Sequence, residues 1–584
     1  LAHVMASAVQ QLYPETKFGI GPVIENGFYY DFDTTHKFSE KDFAEIEKRM
    51  RAIIQNALPV EQLHWPIGDA VNAMRDAGQP YKVELLQEIQ RGEPPAVAAE
   101  DIEQQKDGKV SFYKIGAFTD LCRGPHVSNT KELPADGFKL THVAGAYWRG
   151  SEKNPQLQRI YAAAFATKKE LEEYLKMVQE AKKYDHRKLG KELELFTLID
   201  EVGPGLPLFY PKGAILRRLV ENFIGDLQEA KGYTPIWIPH VTKSELYKIS
   251  GHLDKYDALY PPMELKGEGA YYIKPMNCPH TMMLYKSLPH SYRELPLRYT
   301  VTTSVYRYEK SGELSGLTRV RAVTQDDCHI FMRPDQIEQE INLILDMVQE
   351  TYTAFQFKDF SIRVSTHDPK NQEKYIGDKN IWEESEAILL KLIKDRRWQY
   401  EIGVGEAAFY GPKLDFIVKD VLGRPWQLST VQLDMNIPKR FGLEYTDTDG
   451  SKKQPVVIHR AILGSTERFL GILIEHFKGA FPAWLAPVQV AVLPISDKQN
   501  TYAQKIYDEL KGAGLRTELN TDNESIGKKI RQTELMKIPY LLIVGEKEVK
   551  ATRVAVRKRG EGDLGSQKTE KFVEMIKKEI EEKK

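Results

Sequence analysis

A multidomain α+β protein is what this sequence predicts, on three observations. The chain has 584 residues, too many for one hydrophobic core when domains average about 150 residues. Its middle, from about 188 to 484, is rich in strand-like runs such as YYIKPM, LRYTVTTSVYRYE and STVQLDM, parted by Gly/Pro loops. That pattern favours a large antiparallel sheet with helices packed on it. After FPAWLAPVQ the text alternates between strand runs (VQVAVLPI, LRTEL, PYLLIVG, RVAVRKRG) and helical ones, which predicts a small βαβ-type domain.

Each element follows in order. Residues 1–184 read as mixed α/β, and the clearest helix there is SEKDFAEIEKRMRAIIQNA. Ser39 and Asp42 form a capping pair, and Phe43, Ile46, Met50 and Ile53 recur at helical spacing. KKELEEYLKMVQEAKKYDHRKLGKELELF reads as a charged helix joining two bodies. The expected domains are therefore 1–187, 188–484 and 485–584. Composition is that of a globular protein, 41% hydrophobic and 28% charged. There is no apolar run long enough for a membrane span and no secretory signal pattern. Three widely spaced cysteines form no disulfide framework and point to a reducing cytoplasm. From Pro487 onward 20 Lys/Arg stand against 16 Asp/Glu, a mildly basic end on a chain of net charge −1. The end itself, IKKEIEEKK, reads as a solvated helix terminus, and the start at Leu1 rather than at a methionine reads as an N-terminal truncation.

Three pieces carry candidate chemistry. In AILRRLVENFIGDLQEAKGYTPIWIP, Ile215, Leu219, Phe223 and Leu227 share a helical face, Gly232 caps it, and a short strand stops at Pro239. Taken alone, this unit is scaffold. YRYEKSGELSGLTRVRAVTQDDCHIF places Arg307 and Glu309 two apart on a strand, with Arg319 and Arg321 on the returning one. Period-two spacing sets Arg307 and Glu309 on one face. An arginine fork suits phosphate and a carboxylate suits phosphate-bound Mg²⁺, although a salt-bridge ladder on a solvated face fits equally. In HRAILGSTERFLGILIEHF a helix starts after a Gly/Ser turn with Arg468 in its first turns, another anion site. Cys278, in IKPMNCPHTMM, is placed by Pro279 at a strand-to-turn boundary rather than mid-helix; by itself it reads as a small buried hydrophobe.

In this order the three pieces resemble the three motifs of class II aminoacyl-tRNA synthetases. GPVIENGFYYDFD, DLCRGPHV, AGAYWRG, DHRKLGKELELF, IKPMNCPH, RVRAVTQDDCHIF, AFYGPKLDF, TVQLD and HRAILGSTERFLGIL together resemble bacterial-type threonyl-tRNA synthetases over essentially the whole chain. The fold this implies is a class II antiparallel sheet with flanking helices, preceded by an α/β editing domain and followed by a small α/β anticodon-binding domain. The implied activity is attachment of threonine to tRNA(Thr) through an adenylate, by a cytoplasmic homodimer that uses ATP with Mg²⁺ and holds one Zn²⁺.

Residue by residue, the resemblance implies zinc ligands Cys278, His329 and His459. Three N/S ligands with an open position mark a working zinc site. Cys328 is a rival ligand, but neighbours on a strand point to opposite faces, so only one of Cys328 and His329 reaches the metal. In this family the metal takes the substrate's amino group and hydroxyl. Valine is thereby refused, where an apolar pocket would separate such isosteres only about 10²-fold. Asp327 matches the residue that meets the ammonium; Gln325, Met276 and Tyr410 match neighbours of the amino acid. Arg307 and Arg468 match the arginines on the α- and γ-phosphates, Arg319 a further phosphate contact, and Glu309 and Gln427 positions near ATP and Mg²⁺. Lys413 and Gln432 are family-like site positions. His252, in SGHLDKY, matches a histidine proposed to assist transfer to tRNA, and reads equally as a loop histidine. Val323 departs from the pattern, standing where an aromatic usually stacks on adenine.

Serine carries the same hydroxyl and amine, and its missing methyl is worth only about 10–200-fold, so a second, hydrolytic site is expected. CRGPH, with Cys122, His126 and the nearby Asp120, resembles the family's editing site. Its H-x3-H pair is represented here by His3, the first histidine falling two positions before Leu1. Asn523, Arg531, Glu548 and Arg557 match anticodon-reading positions, where polar groups read the edges of unpaired bases. A seryl or prolyl enzyme is disfavoured by the Cys278/His329/His459 set. A catalytically silent, synthetase-like RNA-binding regulator is disfavoured because Arg307, Glu309 and Arg468 are all present.

Overall fold

The helical spacing around Phe43 is realised. Ser39 and Asp42 make the capping box, and the helix Phe43–Gln55 buries Phe43, Ile46, Met50 and Ile53. The computed structural model describes residues 1–91, 108–151 and 153–583, in two units, Leu1–Glu180 and Ala181–Lys584. In the first, the helices Ala2–Leu12 and Phe43–Gln55 share one core with an antiparallel sheet centred on the strands Gly27–Asp33 and Gln156–Ala164. A three-stranded antiparallel sheet, Val60–Pro66, Lys109–Ile115 and Phe118–Leu121, builds a second core with the helices Ile67–Asp76 and Pro80–Arg91.

The second unit contains an eight-stranded sheet. Its order is Thr234–Pro235, Leu297–Tyr306, Ala322–Met332, Val456–Ala461, Pro425–Asp434, Lys413–Lys419, Phe360–Thr366 and Tyr400–Val404. The six inner strands pair antiparallel; only the two edge strands run parallel to their neighbours. Helices Pro211–Ala230, Ile337–Ala354, Lys379–Asp395 and Thr466–His476 share the main core with it. Further on, a five-stranded sheet has three parallel strands (Thr517–Leu519, Val490–Pro494, Tyr540–Val544) and two antiparallel ones, Val554–Lys558 and Gly562–Gln567. The helix Thr569–Glu581 closes the fold; Lys584 of IKKEIEEKK lies outside the described residues. Among the described residues no helix is long and apolar enough to cross a membrane.

Five local expectations are corrected. The charged joining helix is two helices, Lys168–Lys183 and His186–Glu192, because Asp185 caps the second through the Arg187 amide. His186 and Leu189 are buried in the second unit, so that unit begins several residues before 188. On the helix Pro211–Ala230 the fully buried stripe is Leu216, Val220, Ile224 and Leu227, with Leu219 and Phe223 at its flank. The core-facing stripe is thus offset by one residue, about 100° around the helix, from the predicted one, and the two share only Leu227. Cys278 opens a helix, Cys278–Lys286, instead of a turn. In a first helical turn the N–H that Pro279 lacks would have had no intrahelical acceptor. Lastly, Arg307 and Glu309 lie just past the strand Leu297–Tyr306, and Arg319 and Arg321 just before Ala322–Met332. The glycine-containing connection, with a 3₁₀ turn at Ser311–Glu313, takes over earlier than alternation implied.

Candidate active site

Alternation on the Ala322–Met332 strand sends Val323, Gln325, Asp327 and His329 toward a cleft of about 720 Å³. Asp326 and Cys328 go the other way. Cys328 is fully buried in the main core beneath the sheet, its thiol pushed up to about 12 by burial. Register then builds a row across four strands: His329 lies opposite His459, His459 opposite Gln432, and Gln432 opposite Lys413. Cys278 enters from its helix, and the ligand atoms of Cys278, His329 and His459 lie within 4.8 Å of one another.

The donors fit a metal. His329 is 1% exposed, and neither ring nitrogen has a hydrogen-bond partner among the described residues. Burial, then the neighbouring His459 and Arg460, hold its pKa well below the usual range, so the ring is neutral with its lone pair available. His459 bonds Asp434 Oδ2 through Nε2 at 2.9 Å, leaving Nδ1 for another partner. Such a carboxylate–histidine pair fixes the ring of a metal ligand. The Cys278 thiol is raised by burial and by Asp327 and Asp434, so it gives up its proton only beside a strong positive charge. Asn277 Nδ2 donates to Asp327 Oδ2 at 3.0 Å, holding that carboxylate at the cleft wall.

At the other end of the same cleft three arginines converge. Arg468, in the first turn of Thr466–His476, donates Nε to the Thr318 carbonyl (2.9 Å) and an Nη to the Gln427 carbonyl (2.8 Å). Its pKa falls to about 10, through burial first and then the charges of Arg307 and Arg319. Like charges gathered this way suit a polyanion. Arg307 Nε donates to the Pro275 carbonyl at 3.3 Å. Arg319 pairs with Glu309 at 2.9 Å, and both line the cleft wall, so the salt bridge of this hairpin faces the cleft.

Met276, Tyr410, Gln427 and Gln432 also line the cleft. Lys413 and Gln427 both donate to the buried Asp415, Gln427 at 2.6 Å. His252 is not among the lining residues. It is 1% exposed, bonded to Ser250 Oγ at 2.7 Å, with ring contacts to Phe409 and Tyr410. Burial, then the charges of His459 and Arg440, lower its pKa to about 3, which makes it a weak base. The sequence reading missed Asp434, Asn277 and Asp415. Asp434 had a signal: it stands two residues past Gln432 in TVQLD, hence on the same face.

In the first unit, His3, Cys122 and His126 line a separate cavity of about 540 Å³. His3 Nε2 is 3.1 Å from His126 Nε2, which is 3.2 Å from Cys122 Sγ. Behind them Asp120 pairs with His3 at 3.1 Å and with Lys82 at 2.6 Å, and accepts from Tyr30. Burial opposes the charge on His3, but the Asp120 and Cys122 contacts outweigh it and raise its pKa to about 9. Burial likewise opposes the Cys122 thiolate, yet hydrogen bonds from His126 and His3 pull the thiol down to about 6. Gly124 has φ of +75°, and a Cβ there would meet Tyr113 Oη at 2.0 Å, so the CRGPH turn needs its glycine.

Of the anticodon positions, Asn523 and Arg531 are exposed, before and on the helix Ile526–Leu535. Arg557 lies on the strand Val554–Lys558, 3.8 Å from Glu534 of that helix. Glu548 turns back to accept from the Gly545 amide, capping its own helix.

Family models match in three places. The tRNA synthetase class II core domain (G, H, P, S and T) covers 263–477, the anticodon binding domain 489–579, and the threonyl and alanyl tRNA synthetase second additional domain 110–161. The threonine–tRNA ligase of Cytophaga hutchinsonii is 48% identical over 582 residues, 99% of this chain and 87% of that protein. That of Gloeobacter violaceus is 49% identical over 568 residues, 96% of this chain and 88% of that one. The chain belongs to the threonine–tRNA ligase family. A solved RNA-binding domain of threonyl-tRNA synthetase from Cryptosporidium parvum superposes with a TM-score of 0.64 at 34% identity, covering 68% of this chain and 98% of that one. A prolyl-tRNA synthetase of Giardia lamblia (18% identity, TM-score 0.55, 69% and 81% covered) shares the fold. The family places ATP and Mg²⁺ chemistry in the class II core, whose matched range contains both the arginine cluster and the Cys278/His329/His459 set.

Proposed function

We propose that this chain attaches threonine to tRNA(Thr) through a threonyl-adenylate and hydrolyses mischarged seryl-tRNA(Thr) at its second site. One observation carries the reading: a neutral, partnerless histidine in a Cys/His/His set and three converging arginines line a single cleft. One end suits an amino alcohol and the other a polyphosphate.

Zinc fits Cys278, His329 and His459, which would hold it, and it would supply Lewis acidity toward the threonine amine and hydroxyl. Asp327, oriented by Asn277, accepts from the substrate's amino group. Gln325, Met276, Tyr410 and Gln432 surround the amino acid. Arg307, Arg319 and Arg468 hold ATP so that the carboxylate attacks the α-phosphorus. Their charges neutralise what develops as pyrophosphate leaves, and Glu309 and Gln427 face the nucleotide and its Mg²⁺. Lys413, held by Asp415, stands at the end of the row for the transfer step. His252, bonded to Ser250 Oγ with its ring edge toward Tyr410, supports that wall of the site as a weak base. Asn523, Arg531 and Arg557 read the anticodon, and Glu548 holds the neighbouring helix start. A homodimer follows the family, and a cytoplasmic home fits three unpaired cysteines.

Threonine-dependent pyrophosphate exchange tests the reading. Arg307→Ala and Arg468→Ala each abolish exchange while tRNA affinity stays within about twofold, because these side chains are assigned to the ATP phosphates and not to tRNA. Normal exchange in either variant overturns the assignment.

A further inference from the structure

A third cluster of ligating side chains, Asp185, His186 and Glu475, is fully engaged, and its bonds lead to the ATP end of the cleft. His186 is 0% exposed. Its Nδ1 lies 2.6 Å from Glu475 Oε1, which also accepts from the His186 amide at 3.1 Å. The Leu317 amide donates to Nε2 at 3.0 Å. Nε2 is therefore the acceptor and Nδ1 carries the proton, so the tautomer is set by its two partners. Glu475 Oε2 is held in turn by the Val421 amide at 3.1 Å. Asp185 is bound by Arg187. Both ring nitrogens of His186 are taken, so the ring has no lone pair left for a metal.

The connection between the two motif arginines is fitted to this ring. Gly316 has φ of +50°, and a Cβ on it would stand 2.2 Å from His186 Nε2, so only glycine lets the loop come this close. Gly471 does the same from the helix Thr466–His476: a Cβ there would press on Leu317 and Thr318 at 3.3 Å. One residue after Leu317, the Thr318 carbonyl takes the Arg468 Nε bond. The next residue is Arg319, paired with Glu309. Two consecutive backbone groups thus tie His186 to two of the three arginines.

We propose that His186 is a positioning residue for ATP, anchoring the 315–319 loop so that Thr318 orients Arg468 and Arg319 reaches the phosphates. The proposal rests on the assignment of those arginines to ATP. Among the described residues no hydrogen bond or ion pair joins this network to Cys278, His329 or Asp327, so ATP and threonine should respond differently. In pyrophosphate exchange His186→Ala raises the KM for ATP roughly tenfold, the scale of one buried hydrogen bond. The KM for threonine and the zinc content stay unchanged.

Two conservative variants separate anchoring from general support. His186→Gln offers an oxygen near the Nε2 position and keeps the Leu317 bond; His186→Asn mimics Nδ1 and keeps only the Glu475 bond. Gln should restore the ATP KM and Asn should not. Should the alanine variant fail to fold, this pair carries the test. The proposal is overturned if the two behave alike, if Asn is the one that rescues, or if the KM values for ATP and threonine rise together. Arg468→Ala is measured alongside. If it retains exchange, the arginine assignment fails first; if it loses exchange while the ATP KM of His186→Ala is normal, only the His186 proposal falls.

Discussion

Two sets of one cysteine and two histidines occur in this chain, and they are built in opposite ways. Around Cys278, His329 and His459 all three residues are buried and His329 bonds to nothing. Among the described residues the hydrogen-bonded support behind this set is Asp434 on His459, with the Asp327 carboxylate 4.0 Å from His329. Around His3, Cys122 and His126 the polar atoms bond one another at 3.1–3.2 Å, and an Asp120–Lys82 pair supplies fixed charge behind them. Residue type is shared, so it cannot be what sets the chemistry. Unsatisfied lone pairs in a dry pocket ask for a cation. A closed, charged hydrogen-bond ring beside an open cavity asks for a polar substrate and a positioned water.

The comparison breaks most sharply on metal content. Cys278→Ala loses stoichiometric zinc, measured by elemental analysis, and with it threonine activation. Cys328→Ala keeps both, since its thiol lies across the sheet in the core. Zinc retained by the first variant, or lost by the second, would reverse the assignment. The other set should give the converse. Cys122→Ala or His126→Ala slows hydrolysis of preformed seryl-tRNA by about 10²-fold or more, the usual scale for a lost acid–base or water-orienting group. Zinc content and threonine charging remain as in the parent. Undiminished hydrolysis in the double variant places editing elsewhere.

A smaller effect tests the support behind the metal set. Asp434→Asn keeps the shape but weakens the hold on His459 Nε2, and zinc affinity should fall about 10–100-fold, the range for such outer partners. A competition titration against a chelator measures it. An unchanged affinity would mean that the His459 ring is fixed by packing against His329 and Tyr410 alone.

What the sequence made legible follows the same divide. Period-two alternation separated His329 from Cys328, because neighbours on a strand point to opposite faces, and Gln325 and Asp327, which came from the resemblance, share the face of His329. The capping box at Ser39, the glycine at 232 and the Ser465 cap of the Arg468 helix were equally local and equally readable. The row His329–His459–Gln432–Lys413 was not, since it depends on register between strands up to about 130 residues apart. Asp415 and His186 escaped for that reason as well: their partners are visible only once distant segments meet. Cys278 was misplaced by a rule about proline that loses its force in a first helical turn, and the burial of His252 beside Phe409 and Tyr410 was not legible in SGHLDKY, because those partners lie about 160 residues away.

The smallest expected effect is also the most direct reading of the two environments. Thiolate, not thiol, attacks an alkylating agent. Cys122 is partly exposed with a pKa near 6; Cys328 is buried with one near 12. Burial alone would push both up, and what separates them is that His126 and the charged His3 face only Cys122. Lowering the pKa populates the reactive form at lower pH, so alkylation of Cys122 should climb about tenfold between pH 5 and pH 7 and then level off. An ordinary thiol, titrating near about 8.5, would still be climbing beyond pH 8. Cys328 should stay unmodified throughout while the protein is folded. His3→Ala removes one hydrogen bond and the positive charge, and it should move the midpoint upward without changing the plateau rate by more than severalfold. Mass spectrometry of the labelled peptides across pH reports each cysteine separately. A Cys122 midpoint near 8.5 in the parent chain, or one that ignores His3, would mean that the ring of bonds around it holds no charge, and the contrast with the Cys278 site would then rest on burial alone.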